Sequence, residues 1–372
     1  MKGLYSIFIA FALCACNNVK ESTPDVYVFD KTNAVNNDLS ILFSQVNYIP
    51  LETTTDNLIG FNPQLFVSPQ NIYVFDQQYS KRVLTFDKKG NFQSFIGQTG
   101  NGPGEYAMAK NFIVDESAGE VIINATPSGT LFHYDLNGTF RKSESLDIPV
   151  SSFTLADKGK YWIYTGGSTM AGPDRLYLYN GTQKEKGFLP VTSDRSPAHS
   201  ECFSNSPVRA FQESFNENIY HLVDDSLQLA YKLNFGALQV PQNIVAGMGG
   251  AFHTYLTQNA YITVFRYLEN AHFIYIGLVE NKGLELGGLY HWVIDKRNGK
   301  SQVIQMEPQS EFFMGLQYPL QLTANDELLF LMDASFFPQI NQKSNPVFYK
   351  ENIIDKVSEN PVLTSCKLKQ LK

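Results

Sequence analysis

The sequence predicts an all-β protein: a six-bladed β-propeller whose ring is closed by an N-terminal strand that completes the last blade. Aromatic residues make up 13% of the chain, with 28 Phe and 20 Tyr, and such residues favour strands. A hairpin pattern recurs along the chain. The strands that precede the hairpins return at intervals of about 40 to 55 residues, the length of a four-stranded blade. The alternatives are a pair of β-sandwiches or a barrel.

The hairpin pattern consists of an alternating strand, an Asp or Asn, a glycine turn and a second strand. Residues 84–92 (LTFDKKGNF) closely match residues 132–140 (FHYDLNGTF), and segments 177–181 and 292–299 repeat the theme. The strands that precede the hairpins share a run of aromatic and aliphatic residues; they lie at 71–76, 120–124, 160–164, 218–222, 272–276 and 327–331.

These repeats divide the chain into six blades, whose strands we number from the centre outward. The sixth blade lacks a fourth strand, whereas residues 46–51, ahead of blade one, form a strand that no blade uses. We therefore predict that 46–51 pairs with a strand near 362–368 and closes the ring, which removes two exposed sheet edges. The predicted blades are 61–97, 110–147, 151–190, 207–238, 261–306 and a sixth that begins near 315.

The N-terminus has the pattern of an export signal. Lys2 precedes an apolar run at 4–13, which is too short to span a bilayer as an anchor. The sequence Leu13-Cys14-Ala15-Cys16 then resembles a bacterial lipobox, in which the final cysteine is lipidated. We expect Cys16 to be the acylated residue; the alternative is an ordinary signal peptide cleaved nearby. The predicted organisation is a signal peptide at 1–16, a tether and N-terminal segment at 17–40, and a single propeller domain at 41–372.

Charge and cysteine content bear on partners and compartment. The net charge is −7, from 29 basic and 36 acidic residues, and there is no basic run. We therefore expect no nucleic-acid partner, contact with the membrane only through the lipid anchor, and a monomer. Once the signal peptide is set aside, Cys202 and Cys366 remain. They are interpreted as two thiols rather than a disulfide, since a large core needs no covalent link.

The most unusual stretch is Phe95-Ile96-Gly97-Gln98-Thr99-Gly100-Asn101-Gly102-Pro103-Gly104-Glu105-Tyr106. Its glycines and proline indicate a folded turn between two blades. It is not a dinucleotide-binding motif, because Pro103 interrupts it and no helix follows. We predict that Glu105 accepts backbone N–H bonds in this turn and that Tyr106 packs on the next blade.

Three segments carry a resemblance to a known family: Tyr-Ile-Pro-Leu-Glu at 48–52, Asn-Ile-Tyr-Val-Phe-Asp at 71–76 and the glycine-rich stretch at 97–106. Together they resemble the six-bladed β-propeller lipoproteins of Gram-negative gut anaerobes, which are similar in turn to NHL-repeat propellers. The resemblance covers nearly the whole mature chain. It implies a propeller in the cell envelope, lipid-anchored to the outer membrane and either periplasmic or surface-exposed. It leaves the activity open.

In a propeller, the connections between blades and those from second to third strands share one face. The predicted strands place every long connection there, so we call it the loop-rich face. Long loops in a compact domain are usually functional, and we assign binding to this face and to the mouth of the central channel. Within it, apolar residues between 240 and 256 recur at helical spacing. The long connections are 98–109, 166–174, 192–206, 239–260, 280–288 and 334–360.

The sequence contains no recognisable catalytic or metal-binding motif. The six histidines are scattered and no pair has the i, i+4 spacing of a metal site. There is no Gly-x-Ser-x-Gly element for a hydrolase. We therefore expect no metal and no cofactor.

Two functions remain open. The first is a binding or scaffold protein that uses the loop-rich face, with a protein partner or a glycan as ligand. The alternative is a lyase or hydrolase that acts on a glycan or peptide at the channel mouth, which needs three or more converging His, Asp or Glu side chains.

Four arginines are predicted to approach the loop-rich face or the channel, where bidentate hydrogen bonds would hold carboxylates or acidic sugars. The alternative is that each pairs with an Asp or Glu of a neighbouring blade. Two histidines in loops of that face and one tyrosine complete the candidates. The candidate ligand-binding residues are Arg82, Tyr106, Arg175, His199, Arg209, His253 and Arg266.

Overall fold

The computed structural model contains six small β-sheets that form a ring, which confirms the predicted six-bladed β-propeller. Within the described part of the chain, no helix has the length and hydrophobicity needed to cross a membrane. The predicted signal peptide and Cys16 lie outside the described residues. The structure describes residues 24–372 apart from 127–128, 147, 167, 182, 192–200, 247–248, 309, 311–314, 352, 354–355 and 358.

Blades one to three each consist of four antiparallel strands in chain order, and they lie where the sequence places them. Blade one contains Gln64–Val67, Asn71–Phe75, Val83–Asp87 and Phe92–Ile96. Blade two contains Met108–Asp115, Glu120–Thr126, Thr130–Asp135 and Phe140–Ser145. Blade three contains Ser152–Leu155, Tyr161–Tyr164, Asp174–Tyr179 and Lys184–Pro190.

Blade four begins one strand earlier than the sequence analysis predicts. Its innermost segment is residues 202–204, because Phe203 forms an antiparallel bridge with Phe211 and the backbone N–H of Ser204 bonds to the carbonyl of Ala210. The strand at 210–212 is therefore the second strand of the blade and not the first. Each loop that follows it within the blade consequently lies on the opposite face of the propeller from the predicted one. The other strands of blade four are Ala210–Gln212, Asn218–Val223, Ser226–Asn234 and, on the outer edge and parallel to its neighbour, Asp25–Val28.

Blades five and six also take strands from the N-terminal segment. A two-residue strand runs parallel to the fourth strand of blade five, and a longer strand supplies the fourth strand of blade six. Blade five contains Ala260–Glu269, Phe273–Lys282, Glu285–Asp295, Lys300–Met306 and Val35–Asn36. Blade six contains Gln321–Leu322, Glu327–Met332, Val362–Leu368 and Phe43–Pro50.

The predicted closure of the ring is confirmed. The strand Phe43–Pro50 pairs antiparallel with Val362–Leu368, with Val46 opposite Cys366 and Pro50 opposite Val362. Pro50 lacks an N–H group and is tolerated because this strand is the outermost one of its blade. The sequence predicts a tether and N-terminal segment at 17–40, outside the propeller; in the structure, Asp25–Val28 and Val35–Asn36 add strands to blades four and five.

The hydrophobic core is divided among the interfaces between blades. Six clusters of buried side chains lie in the described part of the chain, one at each interface between neighbouring blades. Both tryptophans are buried in this way: Trp162 faces blade four from blade three, and Trp292 lies between blades four and five. Cys202 and Cys366 are buried thiols in blades four and six. Apolar contact between sheet faces therefore holds the ring together.

The loop-rich face carries most of the long connections and the helices. Residues 51–63, between blades six and one, add a long connection that the sequence analysis did not single out. The predicted long loop at 280–288 is wrong, because strands extend to Lys282 and resume at Glu285, which leaves a tight turn. The helical structure indicated by the spacing of apolar residues at 240–256 is confirmed. The α-helices with described bounds are Gln242–Ala246, Gly250–Gln258 and Phe337–Ile340, and the 3-10 helices with described bounds are Lys31–Asn33, Leu39–Leu42, Asp157–Gly159, Thr169–Ala171, Gly236–Leu238 and Ala334–Phe336.

The glycine-rich turn has the structural role that the sequence predicts. The Glu105 carboxylate accepts a hydrogen bond of 2.9 Å from the backbone N–H of Gly102. Tyr106 is buried against Phe132 of blade two, and its hydroxyl donates to the carbonyl of Lys81 at 2.8 Å. This turn therefore joins blade one to blade two, and its residues make contacts within the fold.

Candidate functional site

The innermost segments of the blades line a central channel that one segment of blade four crosses. The side-chain amide of Asn205 donates to the carbonyl of Leu65 in blade one at 2.6 Å and to that of Leu320 at 3.0 Å, just before the first strand of blade six. The backbone N–H of Leu322 in turn bonds to the carbonyl of Asn205 at 3.1 Å. The channel is therefore narrowed by residues 203–206.

A pocket of about 480 Å³ opens at the mouth of this channel on the loop-rich face. We call it the mouth pocket. Its walls differ in character: blade one contributes carboxamides, whereas blade five contributes mainly apolar side chains. The described residues that line it are Asn62, Gln64, Gln77, Glu201, Phe265, Arg266, Val279, Leu286, Leu289, Gln317 and Tyr318.

An ion pair between Arg266 and Glu201 lies in the wall of the mouth pocket. Arg266 is 6% exposed, and its Nε has no hydrogen-bond partner among the described residues. The guanidinium carbon of Arg266 lies 5.2 Å from the centre of the Tyr318 ring. The Tyr318 and Phe265 rings meet edge to face, with their centres 4.8 Å apart. Burial raises the pKa of the Tyr318 hydroxyl, so this group stays a neutral donor and acceptor at physiological pH.

The two glutamines of blade one are held in place by a single backbone carbonyl. The Nε2 atoms of Gln64 and Gln77 donate to the carbonyl of Lys110 at 3.0 and 2.5 Å. The Nζ of Lys110 itself bonds to the hydroxyl of Ser151 at 3.1 Å, and burial lowers the pKa of this amine. Because their amide nitrogens are fixed, the glutamines present defined acceptor and donor groups beside the pocket.

A second cavity of about 250 Å³ lies deeper, between the crossing segment and blades two and three. Arg266 and Glu201 line both this cavity and the mouth pocket, so their ion pair lies between the two spaces. The inner cavity has both polar and aromatic walls, including Asn111, Phe153 and Asn205.

Of the six predicted ligand-binding residues that the structure describes, Arg266 is the one that lines the mouth pocket. Arg82 packs its guanidinium over the ring of Phe95, 3.7 Å from the ring centre. Tyr106 is buried between blades one and two. His253 is an exposed residue of the helix Gly250–Gln258, and His199 lies outside the described residues.

The structure does not bring the four arginines together. Arg175 pairs with Glu213 of blade four, with Nε 2.9 Å from the carboxylate. Arg209 pairs with Asp157 at 2.8 Å. Asp157 lies in the first turn of blade three, so Arg209 is on the face opposite the loops and not on the predicted one. The one-strand shift in blade four explains this position. Pairing with acidic residues, the alternative set out above, therefore applies to Arg175, Arg209 and Arg266.

No sequence pattern marks the carboxamides of the mouth pocket. Gln64, Gln77 and Gln317 belong to no motif, and glutamine occurs throughout the chain. Tyr318 likewise stands in a connection with no distinguishing pattern. Glu201 is the one acidic side chain among the described residues that line the mouth pocket. The described part of the chain contains no group of three or more His, Cys, Asp or Glu that could hold a metal.

The fold and the site define a class: a six-bladed β-propeller with a mixed polar and aromatic pocket at the channel mouth. Within that class, the chain belongs to the family described as Domain of unknown function (DUF4934), whose model matches residues 26–367. No curated protein matches this chain.

Two solved structures have the same fold at low sequence identity. One is a Bacteroides fragilis protein named as an exported protein; it is 15% identical, the match covers 94% of this chain and 100% of the other, and the TM-score is 0.72. The second is a member of the DUF4221 family from Bacteroides vulgatus, which is 10% identical over 88% of this chain and 97% of the other, with a TM-score of 0.53. Both similarities concern the fold.

Proposed function

We propose that this protein is an exported, lipid-anchored binding protein of the cell envelope that takes a glycan at the mouth pocket. The single observation that carries the proposal is the composition of this pocket. Gln64 and Gln77 line the blade-one side, and Phe265, Val279 and Leu289 line the blade-five side. A sugar ring has the matching character, with hydroxyl groups at its edge and C–H groups on its faces.

The donors and acceptors of the pocket suit hydroxyl groups. A carboxamide both donates and accepts, as a sugar hydroxyl does. The Arg266 charge is already balanced by Glu201, so the pocket offers little net charge to an ionic ligand. A pocket with apolar walls and a few oriented polar groups is the usual form of a small-molecule site. These features favour an uncharged sugar over the carboxylates and acidic sugars expected from the arginines.

The export and anchoring part of the proposal depends on the N-terminal sequence. Leu13-Cys14-Ala15-Cys16 has the lipobox pattern, and the similar Bacteroides fragilis protein is named as exported. Labelling of cells with a fatty-acid analogue tests the anchor: the protein carries the label, and the Cys16→Ser variant does not. Equal labelling of both chains contradicts lipidation at Cys16.

Glycan binding is tested with the purified full-length protein in detergent. An array of defined mono- to hexasaccharides identifies the sugar, and titration calorimetry measures its affinity. We expect Gln77→Ala to weaken binding by about tenfold, the scale of one hydrogen bond to an uncharged partner. Gln228→Ala is the matched control, because Gln228 is an exposed glutamine of blade four that does not line the pocket.

Two results would refute the glycan proposal. The first is an array on which no saccharide binds. The second is saccharide binding that Gln77→Ala and Gln228→Ala leave equally unchanged, since the sugar would then lie elsewhere on the molecule.

A further inference from the structure

A groove of about 420 Å³ continues from the mouth pocket toward the outside of the ring, between blades six and one. Asn62, Gln317 and Tyr318 line both spaces, so the two adjoin on the loop-rich face. Two large aromatic side chains lie along the groove and are exposed: Phe61 at 63% and Tyr79 at 69%.

These two aromatic residues stand on loops that one buried carboxylate holds together. Asp76 is fully buried, and its Oδ1 accepts hydrogen bonds from the backbone N–H groups of Gly60 and Gln78, both at 3.1 Å. Its Oδ2 accepts from the N–H groups of Tyr79 and Ser80 at 3.0 and 2.6 Å. A carboxylate that accepts several backbone N–H bonds fixes the loops that supply them.

The approach of the two loops depends on the absence of a side chain at Gly60. A Cβ at this position would lie 2.8 Å from the Cβ of Gln78 and 2.9 Å from Oδ1 of Asp76. The backbone N–H of Phe61 also donates to Oε1 of Gln78 at 3.2 Å. Phe61 and Tyr79 are therefore presented to solvent from a rigid base, although burial elsewhere would stabilise the fold. Exposed aromatic side chains on a fixed backbone are typical of binding surfaces.

We infer that the ligand of the mouth pocket is an uncharged linear oligosaccharide and that the groove binds its further units, with Phe61 and Tyr79 as stacking surfaces. This inference rests on the proposed function. Two adjoining spaces that share three lining residues support a chain rather than a single sugar. The charged side chains among the described residues that line the groove are Asp333 and Glu359, and both would repel a polyanionic chain. No basic side chain of the described lining compensates for them.

The test compares oligosaccharides of increasing length on the full-length protein. The probes are the di-, tetra- and hexasaccharides of linear glucan, mannan and xylan, measured by titration calorimetry. We expect affinity to rise from the disaccharide to the hexasaccharide. Phe61→Ala and Tyr79→Ala should each weaken hexasaccharide binding by about threefold to tenfold, the scale of one aromatic contact, and leave disaccharide binding nearly unchanged.

Met170→Ala is the matched control, because Met170 is 89% exposed and lies in a loop of blade three on the same face, outside the groove. Since all three side chains are exposed, thermal unfolding should be the same for every variant. If a saccharide binds in a Gln77-dependent way but all lengths bind equally, the groove inference is wrong and the mouth-pocket proposal stands. If no saccharide binds, both are wrong.

Discussion

Ile49, near the start of the chain, lies directly opposite Leu363, near its end, in the outer pair of strands of blade six. A side-chain hydrogen bond also holds this N-terminal strand: the hydroxyl of Tyr48 donates to the carbonyl of Phe348 at 2.8 Å, and the two residues are 300 positions apart in the sequence. The last blade is therefore built from both ends of the domain. Because contacts of this sequence separation form late, the ring closes only once most of the chain is present.

A chain that ends at Asn360 should be much less stable than the full protein. It loses the third strand of blade six, and the N-terminal strand loses its partner, which leaves two exposed edges. Thermal unfolding followed by circular dichroism measures the effect. A chain that begins at Asn17 is the control and should unfold at the temperature of the full-length protein. Equal unfolding temperatures for the two truncations would contradict the closure model.

Phe29→Ala should destabilise the protein by about 3–5 kcal/mol, the usual cost of removing a buried phenylalanine. Phe29 is 7% exposed and packs on Phe235, Tyr290 and Trp292, with ring centres 5.3 to 6.3 Å apart. Val26→Ala, at a 56% exposed position of the preceding strand, should cost little. Denaturant unfolding measures both. Equally small effects would contradict a stabilising role for the packing of Phe29.

Glu269 should make the stability depend on pH in the acid range. It is fully buried, and burial opposes its ionisation. Hydrogen bonds from His221, Lys296 and Tyr267, each at 2.6 Å, outweigh burial and lower the pKa of Glu269 to about 2 from an ordinary value of 4.5. A lowered pKa means that the stabilisation is complete above pH 4.5 and is lost as the pH falls toward 2.

We therefore expect Glu269→Gln to lower the free energy of unfolding by about 3 kcal/mol or more at pH 7. The difference in stability between this variant and the wild-type protein should shrink as the pH falls from 4.5 to 2. Unfolding temperatures measured across this range provide the test. Glu285→Gln, at the exposed first residue of the third strand of blade five, should change the unfolding temperature little at every pH. A difference for Glu269→Gln that stays constant with pH would contradict the assignment of the charge.

Gly104→Ala and Gly299→Ala form a matched pair. Both glycines have positive φ angles, +77° and +71°, so each alanine costs about 1–2 kcal/mol for its backbone conformation. A Cβ at Gly104 would also lie 2.5 Å from the Phe140 ring, whereas nothing lies within 4 Å of a Cβ at Gly299. Crowding should add about 1–3 kcal/mol at Gly104. Equal free energies of unfolding for the two variants would show that the phenyl ring of Phe140 moves aside without an energetic cost.

Several features could be predicted from the sequence because they depend on neighbours in the chain. The Asp-x-x-Gly turns are an example: the Asp87 carboxylate accepts from the N–H groups of Lys89 and Asn91, and Asp135 does the same two and four residues on. The alternation of apolar and polar residues predicts the strands, and the interval at which the strands recur predicts the blades. The unused strand at 46–51 gave the closure, because a lone strand needs a partner for its backbone groups.

Blade four shows where local patterns were insufficient. Its innermost segment, around Phe203, forms only an isolated β-bridge with the next strand. The sequence there does not alternate apolar and polar residues as a strand does, so the prediction began the blade at the next strand. The error of one strand reversed the direction of each later strand in the blade. Arg209 was thus placed on the wrong face, although its neighbours in the sequence were assigned to a strand correctly.

The sequence by itself determined the fold class, the number of blades, the closure and the structural role of the glycine-rich turn, because strand alternation and turn chemistry are local properties. Only the tertiary structure decided the site. The mouth pocket combines Gln64, Glu201, Arg266 and Tyr318 from four blades, and Asp76 joins two separate loops beneath Phe61 and Tyr79. Such groups meet because the ring turns the innermost strands toward one axis, and no spacing along the chain records that convergence.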